Sequence, residues 1–308
     1  MYYNRLVIIA ILALVAFSAT GQPFERIASY RLHYHVPSAY LQPEAAGAEK
    51  FALIQNTVNL TLPVPFKIKK RESLFITGVF YNRYHFSGQT GGTSVTDRSF
   101  DRLTFRLGLS HKWGNPRHKT FLMGLPTFST DGKIFSGDAF QMGGVFIHSF
   151  RVKDNLTLKL GLYYNHEFFG DFYMPLFGID WRLKNDWYIF GMLPGTFNVY
   201  KKVNKWFAVS FSERAPTGSL LSTLSDGDFV RFGEEAYVIL ALNAHFIPFQ
   251  FDFLGNDADV SFNFSVGHTI LRTYDLFLNE GQKIESPPFY PAKNGVYFQF
   301  GVSMRVWQ

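Results

Sequence analysis

An alternation of apolar and polar side chains runs through residues 155–167 of the chain. The even positions of this stretch begin with apolar side chains: Leu156, Leu158, Leu160, Leu162 and Tyr164. The odd positions include Thr157, Lys159 and Gly161. Because successive side chains of a strand point to opposite faces, one face is apolar and the other is polar, small or charged. The run is long enough for a tilted strand to cross a bilayer, which takes about 9–11 residues.

The same alternation recurs in other stretches, at 51–62, 101–113, 173–183, 234–246, 259–270 and 297–307. No stretch has a helical period, and no Pro-rich or Ser-rich linker divides the chain. The pattern predicts an all-β protein that forms a single closed antiparallel transmembrane β-barrel. The alternative is a soluble protein of two packed sheets, in which each long strand buries one face.

The lengths of the connections indicate the topology of this barrel. The three tightest connections are every second one along the chain: 114–118, 153–154 and 184–186. Bacterial barrels have short periplasmic turns and longer external loops, so we expect external loops that include 88–99, 213–231 and 271–293. If 27–36 is the first strand and 187–200 forms two strands, the barrel has about 14 strands, and without them about 12. We favour 14.

The first 21 residues have the features of a secretory signal peptide. A short basic segment precedes an uncharged apolar core, and Ala19 and Gly21 supply small residues before Gln22. We expect cleavage after Gly21, which leaves residues 22–308 as the barrel domain. The chain contains no Cys, which excludes disulfides, Cys-ligated metals and a lipid-modified Cys at the cleavage point.

Composition and charge exclude two other classes of protein. The formal net charge is +6, but Lys and Arg are dispersed along an exported chain, which is not the pattern of a nucleic-acid-binding protein. The longest uncharged apolar run after the signal peptide, residues 236–242, is far shorter than the ~20 residues that a transmembrane helix requires. A barrel crosses lipid without such a run, because alternate side chains of each strand face the membrane.

A signal peptide that ends at Gly21, a set of long amphipathic strands and a final strand that reaches Trp307 resemble the outer-membrane β-barrels of Gram-negative bacteria. Cleavage before Gln22, the abundance of Phe and Tyr, and pieces such as Leu62 followed by Pro63 resemble uncharacterised barrel families common in Bacteroidota. The resemblance implies location in the outer membrane, contact with outer-membrane lipid and recognition by the barrel-assembly machinery. It supplies no catalytic or binding residues.

The predicted strands carry several charged side chains on their lumen-facing parity. These candidates are Arg102, Arg106, Lys112, Lys159, Asp180, Arg182, Glu235, His245 and Arg305. Charged rings in a narrow lumen set the selectivity of a channel, so our favoured function is passive or selective passage of small polar or anionic solutes. The alternative is a lumen filled by a salt-bridge and hydrogen-bond network. Such a closed barrel would act through its long external loops, 213–231 and 271–293.

A third functional hypothesis is an outer-membrane lipid hydrolase. His85 and Ser87 lie two residues apart on one strand near the expected external rim, and Asp101 on the next strand could orient the imidazole. No known lipase signature surrounds these residues. We therefore expect no enzymatic activity and no catalytic residue.

Two patterns suggest metal binding without completing a site. His33 and His35 share one strand face, but two imidazoles without a third ligand make a weak site. The segments 226–228 and 256–259 resemble the start of a calcium loop and lack the acidic residue that an EF-hand requires. We expect no metal and no cofactor.

Overall fold

The computed structural model describes residues 24–41, 47–68, 71–168, 170–226, 229–253, 256–278, 283–284 and 292–307. The expected signal peptide, residues 1–21, lies outside the described residues. Over these ranges, no helix is long and apolar enough to cross a membrane. The regular secondary structure of the described ranges consists of β-strands.

The strands belong to one sheet and are numbered in chain order. They are β1 (Phe24–Ala39), β2 (Lys50–Ile68), β3 (Arg71–Thr90), β4 (Thr93–Lys112), β5 (His118–Thr130), β6 (Phe140–Lys153), β7 (Leu156–Glu167), β8 (Gly170–Arg182), β9 (Trp187–Leu193), β10 (Thr196–Lys202), β11 (Phe207–Arg214), β12 (Thr217–Asp226), β13 (Phe229–Phe253), β14 (Asn256–Leu278), β15 (Lys283–Ile284) and β16 (Val296–Trp307).

The first and last long strands close the sheet into a barrel. β1 pairs antiparallel with β16, from Phe24 opposite Trp307 to His35 opposite Tyr297, and its other edge pairs with β2. The closed antiparallel wall has 14 strands, which confirms the predicted fold class and the favoured strand number. Residues 187–200 form two strands of this wall, β9 and β10, as the count of 14 required.

β12 continues β11 past an interruption at Pro216. Both strands pair with β13 in one register, with Arg214 opposite Ile239 and Thr217 opposite Ala236. Proline has no amide hydrogen, so Pro216 interrupts the ladder while the chain stays extended. Strands β11, β12 and β13 occupy much of the predicted loop 213–231, so that prediction was wrong over residues 213–214, 217–226 and 229–231.

The loop predicted at 88–99 is also strand. β3 and β4 continue through this region and meet in a tight turn at Gly91 and Gly92, whose φ angles are 58° and 84°. Glycine adopts these positive φ values without a steric penalty, and Gly-Gly is a favoured sequence for a two-residue hairpin turn. Similarly, β14 extends to Leu278, into the loop predicted at 271–293. Alternation did not reveal these extensions, because strands that project beyond the lipid need no apolar outer face.

The outward face of the wall is apolar over much of its height. On β7, Leu158, Leu160 and Leu162 are 42%, 58% and 45% exposed, whereas Thr157 and Asn165 on the opposite face are buried. Exposed apolar side chains recur on other wall strands, including Leu107, Leu122, Phe177, Leu242, Phe262 and Phe300. A closed barrel with such a surface faces lipid, and this architecture is that of proteins in the bacterial outer membrane.

The wall is much taller on one side than on the other. β3 and β4 have 20 residues each, β13 has 25 and β14 has 23, whereas β9 and β10 have 7 each. The turns at 113–117, 154–155 and 183–186 lie at one end of the barrel, and the longer connections 40–49 and 131–139 lie at the other, so the end with the three turns is assigned as periplasmic. The extra length of the long strands therefore projects from the external end.

An arginine on the outward face tests this placement in lipid. Leu160→Arg, near the middle of β7, should lower the free energy of unfolding in phospholipid vesicles by about 2–4 kcal/mol, because the bilayer midplane does not hydrate a guanidinium. Val152→Arg, near the periplasmic end of β6, is the matched control and should cost about 0–1 kcal/mol. Denaturant titration followed by tryptophan fluorescence measures both changes. Equal costs would show that Leu160 does not lie at the membrane centre.

Candidate functional site

The lumen is filled by apolar side chains at its external end. They come from β2, β3, β4, β12, β13, β16 and the adjoining connections, and we call them the external core: Tyr40, Ala48, Phe51, Leu53, Tyr84, Phe86, Phe100, Leu220, Tyr237, Ile239, Ala241, Ala292 and Tyr297. Phe51, Leu53, Phe86, Phe100 and Leu220 are all 0% exposed. Burial raises the pKa of the Tyr40 phenol, which lies beyond the end of β1, so this group is neutral.

The inward face of single strands changes from apolar to polar away from the external end. On β2, Phe51 and Leu53 are followed at the same parity by Gln55 and Asn59, all of them buried. The sequence therefore contains a signal for the external core. On the lumen-facing parity of a strand, the side chains near the external end are apolar, whereas those further along are polar. Reasoning from alternation missed it because that reasoning assumes a polar lumen.

β3 is a strand that this assumption made difficult to recognise. Residues 73–86 alternate poorly in sequence, and the structure gives the reason. Tyr84 and Phe86 face the external core, while Asn82 at the same parity lies in the polar part of the lumen. Near the external end of β3 the inward parity is thus aromatic while the outward parity carries Arg83 and His85, so the apolar parity changes along the strand and the period of two is obscured.

β12 crosses the external mouth of the barrel. Its Leu220 inserts into the external core, and the backbone N–H and the Oγ of Ser219 donate hydrogen bonds to Glu167 Oε2 at 2.9 and 2.6 Å. Gln141 Nε2 donates to Ser219 Oγ at 2.7 Å. Glu167, at the end of β7, also lies 3.7 Å from Arg102 Nη2. β12 is therefore fixed to strands across the lumen from its own hairpin.

A second set of contacts holds β12 further along its length. Arg98 Nη1 donates to Ser222 Oγ at 2.7 Å, and Ser222 Oγ donates to Asp131 Oδ2 at 3.1 Å. Leu221 forms a parallel bridge with Thr130 of β5. One edge of β12 is thus paired in a ladder with β13, whereas its other edge, in the described residues, is held by this bridge and by side-chain hydrogen bonds.

A second apolar cluster fills the lumen near the periplasmic turns. We call it the periplasmic core: Tyr188, Phe190, Tyr200, Ala208 and Ile247, with Trp307 packed against it. A buried ion pair lies beside it, in which Arg305 Nε and Nη2 donate to Asp259 Oδ1 and Oδ2 at 2.7 and 3.0 Å. Trp307 Nε1 donates to the same carboxylate. Both ends of the lumen are therefore filled.

A polar chamber remains between the two cores. Its volume is about 50 Å³, enough for a few water molecules. Inward-facing side chains of β1, β10, β11, β13, β14 and β16 line it, including Arg31, Ser210, Asn243 and Gln299. We refer to this cavity as the chamber.

Several of the predicted lumen residues contact a charged or neutral side chain of the lumen. Lys159 Nζ lies 2.5 Å from Asp180 Oδ2, and Asp180 is fully buried. Arg106 Nη1 donates to Asn59 Oδ1 at 2.5 Å, and its guanidinium lies 4.8 Å from the centre of the Phe80 ring. Together with the pairs of Arg102 and Arg305, these contacts form the kind of network that fills a lumen rather than a ring of free charges.

The remaining predicted residues have different surroundings. His245 lines the chamber and is 3.0 Å from Ser210 Oγ. Lys112 is partly buried, and Arg182 is exposed with its guanidinium 5.9 Å from the Tyr188 ring centre. The side chain of Glu235 lies outside the described part of the chain. Contact of these residues with a solute stays a prediction.

Sequence reasoning missed the cations that line the chamber. Arg26, Arg31 and Arg214 all contribute to its walls. Arg31 could have been found, because it shares the parity of His33 and His35 in the first predicted strand. Arg214 follows a Glu near the end of β11, and its direction depends on the register with β10 and β13.

The set of residues proposed for a hydrolase is not assembled. His85 Nδ1 lies 3.0 Å from Ser99 Oγ, not from Ser87, and His85 Nε2 lies 3.5 Å from Asp97 Oδ1. Asp101 instead accepts a hydrogen bond from Tyr81. The side chains of His85 and Asp97 are 45% and 52% exposed, so water competes for their contacts. A hydrolase built on His85 would require Ser99, rather than Ser87, as the nucleophile.

The suggested metal sites do not form in the described residues. His33 Nδ1 lies 2.7 Å from the Tyr297 hydroxyl, and its Nε2 lies 3.2 Å from Thr57 Oγ1, so both ring nitrogens have protein partners. Among the described side chains, no group of three or more potential ligands is placed to hold a metal ion. Segment 256–259 is the start of β14, and part of segment 226–228 lies outside the described residues.

Comparisons with known proteins add little to what the fold shows. No protein-family model matches the chain, and no curated protein matches its sequence. An outer-membrane channel from Pseudomonas putida F1 is 10% identical, over 94% of this chain and 99% of that one, with a TM-score of 0.42. The β domain of the Bordetella autotransporter BrkA is 7% identical, over 92% and 100%, with a TM-score of 0.26. Likenesses of this degree assign neither a family nor a function.

Removal of one partner from the buried ion pair should destabilise the barrel. Arg305→Leu leaves the Asp259 carboxylate in the lumen without its guanidinium and should lower the free energy of unfolding by about 3–5 kcal/mol. The double variant Arg305→Leu/Asp259→Leu should recover most of this loss. Arg117→Leu, in an exposed turn, is the control and should change stability by less than about 0.5 kcal/mol. A double variant as unstable as the single one would contradict this account.

Proposed function

We propose that this protein is a closed outer-membrane barrel that acts through its external surface rather than as an open pore. The external core carries this proposal, because completely buried side chains from strands around the wall meet inside the mouth. The periplasmic core fills the opposite end. The chamber between them, at about 50 Å³, has room for a few water molecules and not for a sugar.

A closed barrel can bind partners only at its outer surfaces. Lipid contacts the apolar outer face, and the external extension of β3, β4, β13 and β14 is available to another macromolecule. Recognition of β16 by the barrel-assembly machinery and kinship with barrels of Bacteroidota stay predictions, as does the absence of enzymatic activity.

A second candidate function is gated passage of small solutes. It is favoured by the way β12 is held, with a ladder on one edge and a bridge plus side-chain hydrogen bonds on the other. Release of the Ser219 and Ser222 contacts would free that edge without breaking the wall, because the wall strands pair with one another independently. The external mouth would then open on the side of β5 to β7.

Solute-dependent swelling of liposomes separates an open pore from a closed barrel. Purified, refolded protein in liposomes should give no swelling above protein-free liposomes with sugars and amino acids of graded size, because both ends of the lumen are filled. Heat-modifiable gel mobility confirms that the barrel is folded. Uptake by the unaltered protein with a size cutoff would overturn the closed-barrel proposal and restore the channel.

The same swelling assay, applied to two protein variants and a control, tests whether β12 is a gate. Glu167→Ala removes the acceptor of Ser219, and Asp171→Ala, an exposed carboxylate at the adjoining rim, is its matched control. Thr130→Cys/Leu221→Cys joins bridge partners in a chain without native Cys and should lock β12 when oxidised. Swelling with Glu167→Ala that the added disulfide abolishes would establish gated passage. No swelling with any variant would leave a permanently closed barrel.

A further inference from the structure

The chamber is lined by an unusual combination of charges. Three arginines contribute to its lining, Arg26, Arg31 and Arg214. The other lining residues are Ser, Thr, Asn, Gln and His, and within the described part of the chain none of the lining residues is acidic. Partly buried positive charges gathered around a cavity without a carboxylate are unfavourable unless a negative charge compensates them.

The fully buried acidic side chains in the described part of the lumen do not compensate Arg31 and Arg214. They pair with other cations: Glu167 with Arg102, Asp180 with Lys159, and Asp259 with Arg305. Arg214 Nη2 instead donates to the hydroxyl of Tyr297 at 2.5 Å, which is a neutral partner. Among the described side chains, Arg31 and Arg214 therefore form no ion pair with a carboxylate at the chamber.

Two polar groups on the chamber wall have no hydrogen-bond partner in the described structure. They are the Oγ of Ser29, a residue that is 7% exposed, and the buried Nε of Arg31. A buried donor without an acceptor costs free energy comparable to a lost hydrogen bond. Both groups belong to β1 and line the same cavity, so one ligand with several acceptor oxygens can satisfy them together.

We propose that the chamber binds one small oxyanion, of the size and chemistry of phosphate, sulfate or a short carboxylate. The guanidinium groups of Arg31 and Arg214 hold it by charge-assisted hydrogen bonds, and the hydroxyl of Ser29 donates a further one. The volume of about 50 Å³ admits such an ion and excludes a sugar phosphate. The proposal goes beyond the closed-barrel function, because a saturable ion site exists whether or not the barrel conducts.

The test is equilibrium binding of radiolabelled inorganic phosphate to the full refolded chain in a neutral, phospholipid-free detergent, at constant ionic strength set with chloride. We expect saturable binding at a single site. Arg31→Gln and Arg214→Gln should each weaken it about tenfold or more, because each removes a charge-assisted contact. Arg117→Gln, which removes an exposed turn arginine of the same charge, should leave the affinity unchanged.

Each other outcome overturns the proposal. These outcomes are no saturable binding, binding that Arg31→Gln and Arg214→Gln leave intact, and binding that Arg117→Gln weakens equally. Binding that requires added phosphatidylglycerol would assign the cations to a lipid headgroup instead. Heat-modifiable mobility verifies the fold of each variant, and Ser29→Ala, which removes one hydroxyl and no charge, replaces any arginine variant that does not fold. Sulfate and acetate, added as competitors, rank the oxyanions by charge.

Discussion

Lipid offers no hydrogen-bond partner to a backbone amide, and this constraint determines the wall of the protein. Every strand in the membrane must pair on both edges, so the sheet has to close, and the pairing of β1 with β16 completes it. β9 and β10, although 7 residues each, pair on both edges with their neighbours. The backbone hydrogen bonds of the wall are then made within the sheet, and its outer side chains contact lipid. Neither depends on which side chains point inward.

This independence explains the mixed character of the lumen. An inward side chain meets other inward side chains rather than lipid or bulk water, so it can be apolar where the strands enclose a core and polar elsewhere. The inward parity of β2 changes from Phe51 and Leu53 to Thr57 and Asn59 over a few residues. A barrel whose strands extend past the membrane can therefore build a core like that of a soluble domain inside its external half.

The sequence predicted what depends on local alternation and missed what depends on distant contacts. The leucines of β7 were sufficient to identify a lipid-facing strand, and the turn at 184–186 followed from its short connection. By contrast, β12 has no alternation that distinguishes it from a loop. Its position depends on contacts with Glu167 and Asp131, which lie more than fifty residues earlier in the chain. The direction of Arg214 is likewise set by the register of β11 against β13.

The distribution of charge along the lumen bears on what such a barrel can do. Ion pairs such as Arg305–Asp259 lie next to the apolar cores, where each carboxylate neutralises its partner and adds to the closure. At the chamber Arg31 shares the lining with neutral side chains and two further arginines. A conducting pore needs sites weak enough to release an ion and a path on both sides of them. Cations held between two filled ends have no such path, so their arrangement favours retention of a ligand over its transport.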